Sequence, residues 1–189
     1  RYVPAGYGWS FPGGEEVRVG IESFDPNFGV RRTTDLLAED NGLERDGYQG
    51  NWIPHRLRPA TGDGVFFVGD SAGHCLPTTA EGIRTALYFG IALGTELRAV
   101  AEGRQTRQQA LAAYHQFNED HRPQFEKMLR FQQILPRIHP RLVKPILKAF
   151  SFGPFGRRIF NRYLDFASPE FAGTLAGPPV LRDRQPASH

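Results

Sequence analysis

Apolar and polar positions alternate near the start of the chain. Val17, Val19 and Ile21 are separated by Arg18 and Gly20, the period of two expected of a half-buried strand. Before them runs an aromatic stretch, Gly6-Tyr7-Gly8-Trp9-Ser10-Phe11-Pro12-Gly13-Gly14, that ends in turn residues. Together these predict a β-hairpin turning at Pro12–Gly14. Tyr7, Trp9 and Phe11 share one face by the same period. Residues 31–50 are polar, with Arg31, Arg32, Asp35, Glu39, Asp40, Glu44, Arg45 and Asp46, and predict a short helix plus a surface loop. Thr61–Gly64 reads as a turn, and Val65–Val68 as a short buried strand. The period then becomes helical. Ile83, Ala86, Leu87, Gly90, Ile91, Gly94, Leu97 and Val100 predict a buried helix over 80–102, stopped at Gly103. A second helix over 107–135 carries Leu111, Tyr114, Phe117 and Phe125 on its apolar side and ends at Pro136.

The stretch 137–164 differs in charge. Arg137, Arg141, Lys144, Lys148, Arg157, Arg158 and Arg162 interleave with aliphatic and aromatic residues, with no acid before Asp165. Two short amphipathic helices, broken at Gly153-Pro154, fit this pattern. Such a stretch lies on an anionic membrane or forms a helical lid with a solvated basic side; the lid is the favoured reading. From Gly173 to His189 the chain is rich in Gly, Pro and Ser and is expected to be mobile.

Composition narrows the class. At 189 residues, 40% hydrophobic and 23% charged, the chain can bury a sizeable core. A net charge of +3 with a pI near 9.2 does not by itself imply nucleic acid, and no nucleic-acid partner is expected. Cys75 is the single cysteine, which excludes an internal disulfide framework and fits a reducing compartment. It is read as a small apolar residue lining a loop. His115, His121 and His139 lack acidic or cysteine partners at metal spacing and are read as surface or capping residues, so no metal is expected.

The chemistry concentrates in Gly69-Asp70-Ser71-Ala72-Gly73-His74-Cys75-Leu76-Pro77-Thr78-Thr79-Ala80-Glu81-Gly82-Ile83. A strand that stops at Gly-Asp and turns through small residues into a helix N-terminus is a ligand cradle. Free N–H groups and partial positive charge there suit an electron-rich ligand. Asp70 is acceptor-only when ionised and suits a polyol hydroxyl. Gly69 and Gly73 allow close backbone approach, and Pro77 stiffens the loop. Glu81 and Gly82 lie near the first helical turn, where an acid is favourable.

This stretch resembles the second FAD-binding motif of the glutathione-reductase-type flavoproteins, which include geranylgeranyl reductases, aromatic hydroxylases and flavin halogenases. It is most similar to the geranylgeranyl reductase form, Gly-Asp-Ala-Ala-Gly and then Pro-x-Thr-Gly-Glu-Gly-Ile. Ala80 stands where that pattern has glycine. The hairpin segment is similar to the Gly-x-Gly-Trp-x-Phe-Pro-x-Gly and Val-x-Val-Gly of the same family. The resemblance implies an α/β (mixed α+β) fold: the C-terminal part of a Rossmann-like FAD-binding flavoprotein, with part of an antiparallel substrate sheet. The divisions expected are 1–60 for that sheet, 61–106 for the FAD-binding domain's strand, motif and helix, 107–172 for C-terminal helices and 173–189 for a tail.

By the same resemblance FAD is the cofactor, held by Gly69, Asp70, Ala72, Gly73, Pro77, Glu81, Gly82 and Ile83. Asp70 would take the ribityl chain, and the Gly82-Ile83 backbone would face the pyrimidine edge. Tyr7, Trp9 and Phe11 would line an apolar substrate site, or simply a core face. Electrons would come from NAD(P)H or another donor, and the location would be cytoplasmic, with the inner membrane face as a peripheral contact. No Gly-x-Gly-x-x-Gly follows a strand here and the chain begins without methionine, so an N-terminal half that holds the pyrophosphate is expected elsewhere. Reduction of a carbon–carbon double bond in an isoprenoid-like substrate is the reading preferred. Aromatic hydroxylation, and a truncated membrane-associating fragment without catalysis, are the alternatives. No residue identifies itself as proton donor; Tyr7 and His74 are the candidates considered.

Overall fold

The structure, a computed structural model, describes residues 2–44, 46–139, 141, 142, 145, 148 and 153–168. The expected tail at 173–189 and most of 143–152 lie outside the described residues.

The hairpin forms where alternation and turn residues place it. β1 (Gly6–Gly13) and β2 (Glu16–Ser23) pair antiparallel, with Tyr7 opposite Glu22 and Trp9 opposite Gly20. The Trp9 ring lies across Gly20, where a Cβ would fall 2.2 Å from Cζ2. Trp9 and Phe11 stack at 4.8 Å between centroids and remain largely exposed. Helix α1 (Val30–Asp40) packs on the other face of the hairpin, where a Cβ on Gly8 would meet Leu37 Cδ2 at 3.2 Å.

The expected buried strand at Val65–Val68 is replaced by a short hairpin. β3 (Thr61–Gly62) pairs antiparallel with β4 (Val65–Phe66). Asp63 and Gly64 join them with φ of 50° and 77°, the two left-handed residues of a tight hairpin turn. Val65 and Val68 are exposed. Among the described residues this stretch has no further strand beside it, and a strand buries its side chains only between neighbours. Both sheets are antiparallel and two-stranded, giving a mixed α/β chain.

Helices α2 (Ile83–Ala101) and α3 (Arg107–Ile134) pack on each other, and Phe89, Tyr114 and Phe125 are their large core residues. The helical period of α2 is as read, but its buried face is not. Thr85, Phe89, Ala92 and Ala99 point inward, whereas Ile83 is 82% and Leu87 63% exposed. Phe89 wins because Phe117, His121 and Phe125 of α3 enclose it edge-on. His121 accordingly is not a surface residue: its ring nitrogens meet the Phe117 carbonyl oxygen at 2.7 Å and Tyr88 Oη at 3.0 Å. α3 starts with a capping box, Thr106 accepting from the Gln109 N–H while the Gln109 side chain accepts from Thr106 N–H. A 3-10 turn over Leu135–Arg137 follows it. α4 (Gly153–Asp165) is a basic amphipathic helix whose Tyr163 returns to the 77–84 loop.

Candidate functional site

Gly69–Ala72 forms a 3-10 turn that ends at Gly73 in the left-handed region, φ 67°. The chain at 56–60 threads beneath it. Arg58 N–H donates to the Ala72 carbonyl at 2.9 Å, and Phe67 N–H to that of Ala60 at 2.8 Å. A Cβ on Gly73 would lie 2.0 Å from the Arg56 carbonyl oxygen. Gly73 thus brings two backbones together rather than a backbone and a ligand.

His74 is fully buried and stacks on Phe89 with ring centroids 3.8 Å apart. Gly69 N–H donates to its Nδ1 at 3.1 Å. Its Nε2 lies 3.0 Å from Asn118 Oδ1, while Asn118 Nδ2 donates to the Arg58 carbonyl at 3.0 Å. The amide oxygen must accept, so Nε2 carries the proton and Nδ1 is bare. Burial holds the pKa down at about 4, so the ring is neutral. It ties the motif to α3 and is no proton donor to an open cradle. Cys75 is buried, and desolvation with nearby Glu22, Asp70 and Glu81 pushes its thiol up to about 12.

From Leu76 to Gly82 the backbone is pinched and strained. Leu76 N–H donates to the Glu81 carbonyl at 3.0 Å, and Thr79 N–H to that of Pro77 at 2.9 Å. The latter closes a γ-turn on Thr78, φ 74°, a rare and strained form. Ala80, with φ 50°, occupies the left-handed region that glycine adopts freely. α3 holds the strain in place. Thr78 N–H donates to Gln132 Oε1 at 2.7 Å and Thr78 Oγ1 to the Met128 carbonyl at 3.1 Å. Strain held by outside contacts is characteristic of ligand clamps.

The motif residues divide into two groups. Ala72, Gly73 and Pro77 are buried and make the floor. Asp70 is exposed, Gly69 and Gly82 are half-buried, and Ile83 is exposed. A Cβ on Gly82 would lie 3.9 Å from Asp70 Oδ1, so the carboxylate stands beside the N-terminus of α2. No side chain caps that terminus. Glu81 faces elsewhere: Arg84 grips it with Nε at 2.5 Å and Nη2 at 2.8 Å, and Tyr163 Oη also donates to it. Arg84 Nη1 donates to the Phe166 and Ala167 carbonyls. These contacts keep the Glu81 carboxyl below its ordinary range and fasten the end of α4 to the start of α2. Sequence reasoning missed Arg84, Tyr163, Asn118 and Gln132. The Glu81/Arg84 spacing of three was the one local signal.

Tyr7 reaches the loop, donating to the Thr79 carbonyl at 2.7 Å. Trp9 and Phe11 stack further along the same strand face without touching it in any ring or hydrogen-bond contact. An open groove of about 510 Å³ runs along α4 past Pro154, Arg157, Arg158, Asn161 and Arg162 and does not include the cradle. No group of three or more metal-ligating side chains occurs among the described residues, and no described helix is long and apolar enough to cross a membrane.

No family model and no solved structure matches the chain. Curated relatives do. Digeranylgeranylglycerophospholipid reductase 1 of Methanopyrus kandleri is 29% identical over 159 residues, 78% of this chain and 42% of that protein. The digeranylgeranylglycerophospholipid reductase of Methanocaldococcus jannaschii is 26% identical, covering 72% of this chain and 37% of that one. Geranylgeranyl diphosphate reductase of Rhodobacter capsulatus is 32% identical over 44% of this chain and 22% of its own. The chain spans about two fifths of the length of the first two relatives. Its Gly-Asp motif, its aromatic hairpin and these relatives agree in making the chain similar to digeranylgeranylglycerophospholipid and geranylgeranyl diphosphate reductases.

Proposed function

We propose that this chain serves a FAD-dependent reductase of carbon–carbon double bonds in an isoprenoid substrate. The observation that carries the proposal is the placement of the Asp70 carboxylate beside the uncapped N-terminus of α2, across a loop held in strain by α3. The relatives' names supply the substrate class: geranylgeranyl chains, free as a diphosphate or in a glycerophospholipid.

The residues present fit the cofactor's polyol and ring-edge chemistry. Asp70 accepts hydrogen bonds from hydroxyl groups. The free N–H groups at Gly82 and Ile83 and the helix dipole favour negative charge at a ring edge. Ala72, Gly73, His74 and Pro77 fix the shape of the turn. Bound FAD supplies hydride to one carbon of the double bond; the protein must orient the alkene, keep water out and bring a proton to the other carbon. Tyr7, Trp9 and Phe11 offer the apolar, aromatic surface beside the loop. α4 covers the loop through Tyr163 and leaves Arg157, Arg158 and Arg162 exposed, which suits a lid against an anionic lipid surface.

The test uses protein expressed from its complete coding sequence. Asp70→Ala should weaken FAD binding by about 1.5–3 kcal/mol, the range for a hydrogen bond to a charged group, measured by quenching of flavin fluorescence. Anaerobic incubation with a geranylgeranyl lipid and a two-electron donor should add two hydrogens per double bond by mass spectrometry. Unchanged FAD affinity in Asp70→Ala overturns the cofactor site. Oxygen-dependent hydroxylation in place of saturation overturns the reaction.

A further inference from the structure

α4 has two unlike faces, and the rest of the protein occupies only one of them. Gly156 is buried, as is Ala167 just past the end of the helix. Phe166 meets His121 and Phe125 edge-on, with ring centroids 5.5 and 5.7 Å away. Tyr163 reaches Glu81 and Thr79, and the Arg84 guanidinium stands 5.2 Å from the centre of its ring. The apolar face of α4 is thus packed on α3 and on the 79–84 segment.

The opposite face carries Pro154, Arg157, Arg158, Asn161, Arg162 and Asp165, which line the groove of about 510 Å³. A helix of 3.6 residues per turn sets these positions side by side. Arg157, Arg158 and Arg162 are exposed, and among the described residues none of them has an ion pair or hydrogen bond. Arg84, Arg122 and Arg130, on α2 and α3, each meet a glutamate three or four positions away. Arg158 and Arg162 instead stand four apart from each other, where like charges repel. Asp165 is the one acid of the helix, too little to balance three arginines. A cationic face left without counter-charges by its own protein is complementary to an external array of negative charge.

We propose that this face of α4 docks the protein on an anionic lipid bilayer, by attraction of Arg157, Arg158 and Arg162 to phosphate headgroups and without insertion of the helix, a contact that does not depend on the reductase reading above. Among the described residues α4 alone lines the groove, so the groove meets a flat array of charge rather than enclosing a single ion. An amphipathic helix enters a bilayer through a free apolar face, and here that face is held by Tyr163 and Phe166. Phe160, 58% exposed beside the Tyr163 ring, offers the one apolar contact next to the arginines, which suits a lipid surface better than a nucleic acid. No described helix is long and apolar enough to cross a membrane. The contact is therefore peripheral, governed by charge and screened by salt.

Vesicle sedimentation tests this on protein expressed from its complete coding sequence. The protein should pellet with mixed phosphatidylglycerol and phosphatidylcholine vesicles and stay in solution with phosphatidylcholine alone. Raising salt from about 0.1 M to about 1 M, where the screening length falls to about 3 Å, should release it. Arg157→Gln, Arg158→Gln and Arg162→Gln should each weaken partition about fivefold, and all three together about a hundredfold. The three lysine substitutions together keep the charge and should bind within about a factor of two of wild type. These side chains are exposed and unpaired, so circular dichroism should show every variant folded. Absence of pelleting, equal pelleting with phosphatidylcholine alone, or wild-type binding by the triple glutamine variant overturns the proposal. Loss of binding in the triple lysine variant points to a bidentate site for a single phosphate and overturns the bilayer as partner. Loss in Phe160→Ser with retention in the triple glutamine variant shows insertion and overturns the charge-only contact. A duplex DNA that stays bound at salt that releases the vesicles overturns the choice of lipid. None of these readouts involves FAD or alkene reduction, so failure of the function proposed above leaves them standing.

Discussion

Acid should unfasten the cradle through His74. Its Nδ1 accepts from Gly69 N–H at 3.1 Å, and its Nε2–H is given to Asn118. Adding a proton to Nδ1 turns the acceptor into a donor aimed at another donor, inside a fully buried site. Burial lowers the pKa from 6.5 to about 4. At about 1.4 kcal/mol per pH unit, that difference is worth about 3 kcal/mol. The lowered pKa belongs to a base, so the unfolded chain takes the proton first. Stability is therefore fully present above about pH 6.5 and is lost as pH falls toward 4. His121 is lowered by burial too and adds a smaller loss of the same sign. Urea unfolding at a series of pH values measures the slope. His74→Phe keeps the stack on Phe89 while removing the titration. It should cost about 2–4 kcal/mol at neutral pH, because the Gly69 N–H and Asn118 oxygen lose their partner. Its stability should then fall less steeply with acid than that of the wild type. An equal slope in both proteins would refute the account, as would a wild type whose stability does not change between about pH 7 and pH 4.5.

Five further substitutions separate the physical causes at the cradle and beyond it. Gly73→Ala should cost at least about 3 kcal/mol, because a left-handed φ of 67° and a Cβ 2.0 Å from the Arg56 carbonyl act together. Gly14→Ala, also left-handed but with open space around the new Cβ, should cost only about 1 kcal/mol; equal losses in thermal unfolding would remove the steric argument. Ala80→Gly should stabilise by about 0.5 kcal/mol, since relief at φ 50° slightly exceeds the entropy glycine adds to the unfolded chain, and a drop in Tm would show that Ala80 is not strained. Thr106→Ala should cost about 1 kcal/mol by removing the capping box of α3, whereas Thr106→Ser should retain most of the stability in the same assay.

The parts of the fold legible in the sequence were those that local rules determine. The hairpin followed from alternation and a Pro-Gly-Gly turn, and Gly20 beneath Trp9 is a direct consequence of its register. The periods of α2 and α3 were equally plain. What sequence could not supply was the choice between two faces of α2. One stripe runs through Ile83, Leu87, Gly90, Gly94 and Leu97, the other through Thr85, Phe89, Ala92 and Ala99. Both have helical period, and the aromatic side chains of α3 decide for the second. The strand expected at Val65–Val68 failed for a related reason. Its composition reads as buried, but burial requires neighbours, and the Asp63-Gly64 turn gives it an antiparallel partner of two residues.

The motif itself combines two kinds of residue that a sequence pattern does not separate. Asp70, Gly82 and Ile83 stand at the open rim, where the proposed cofactor would be held. Ala72, Gly73, His74 and Pro77 are buried and carry the shape. The shape is also held by distant partners: Asn118 on His74, Met128 and Gln132 on Thr78, Tyr163 on Thr79 and Glu81. These partners lie 44 to 84 residues downstream, so their role shows no local signature. They explain how Thr78 and Ala80 can occupy left-handed backbone where glycine would be the unstrained choice. Each strained residue lies within a segment pinned from α3 or α4, and the pinning contacts are cheaper to break than the fold. The cradle's shape is therefore set by α3 and α4, and substitutions such as Gln132→Ala should loosen the loop and weaken ligand binding without touching a residue of the motif.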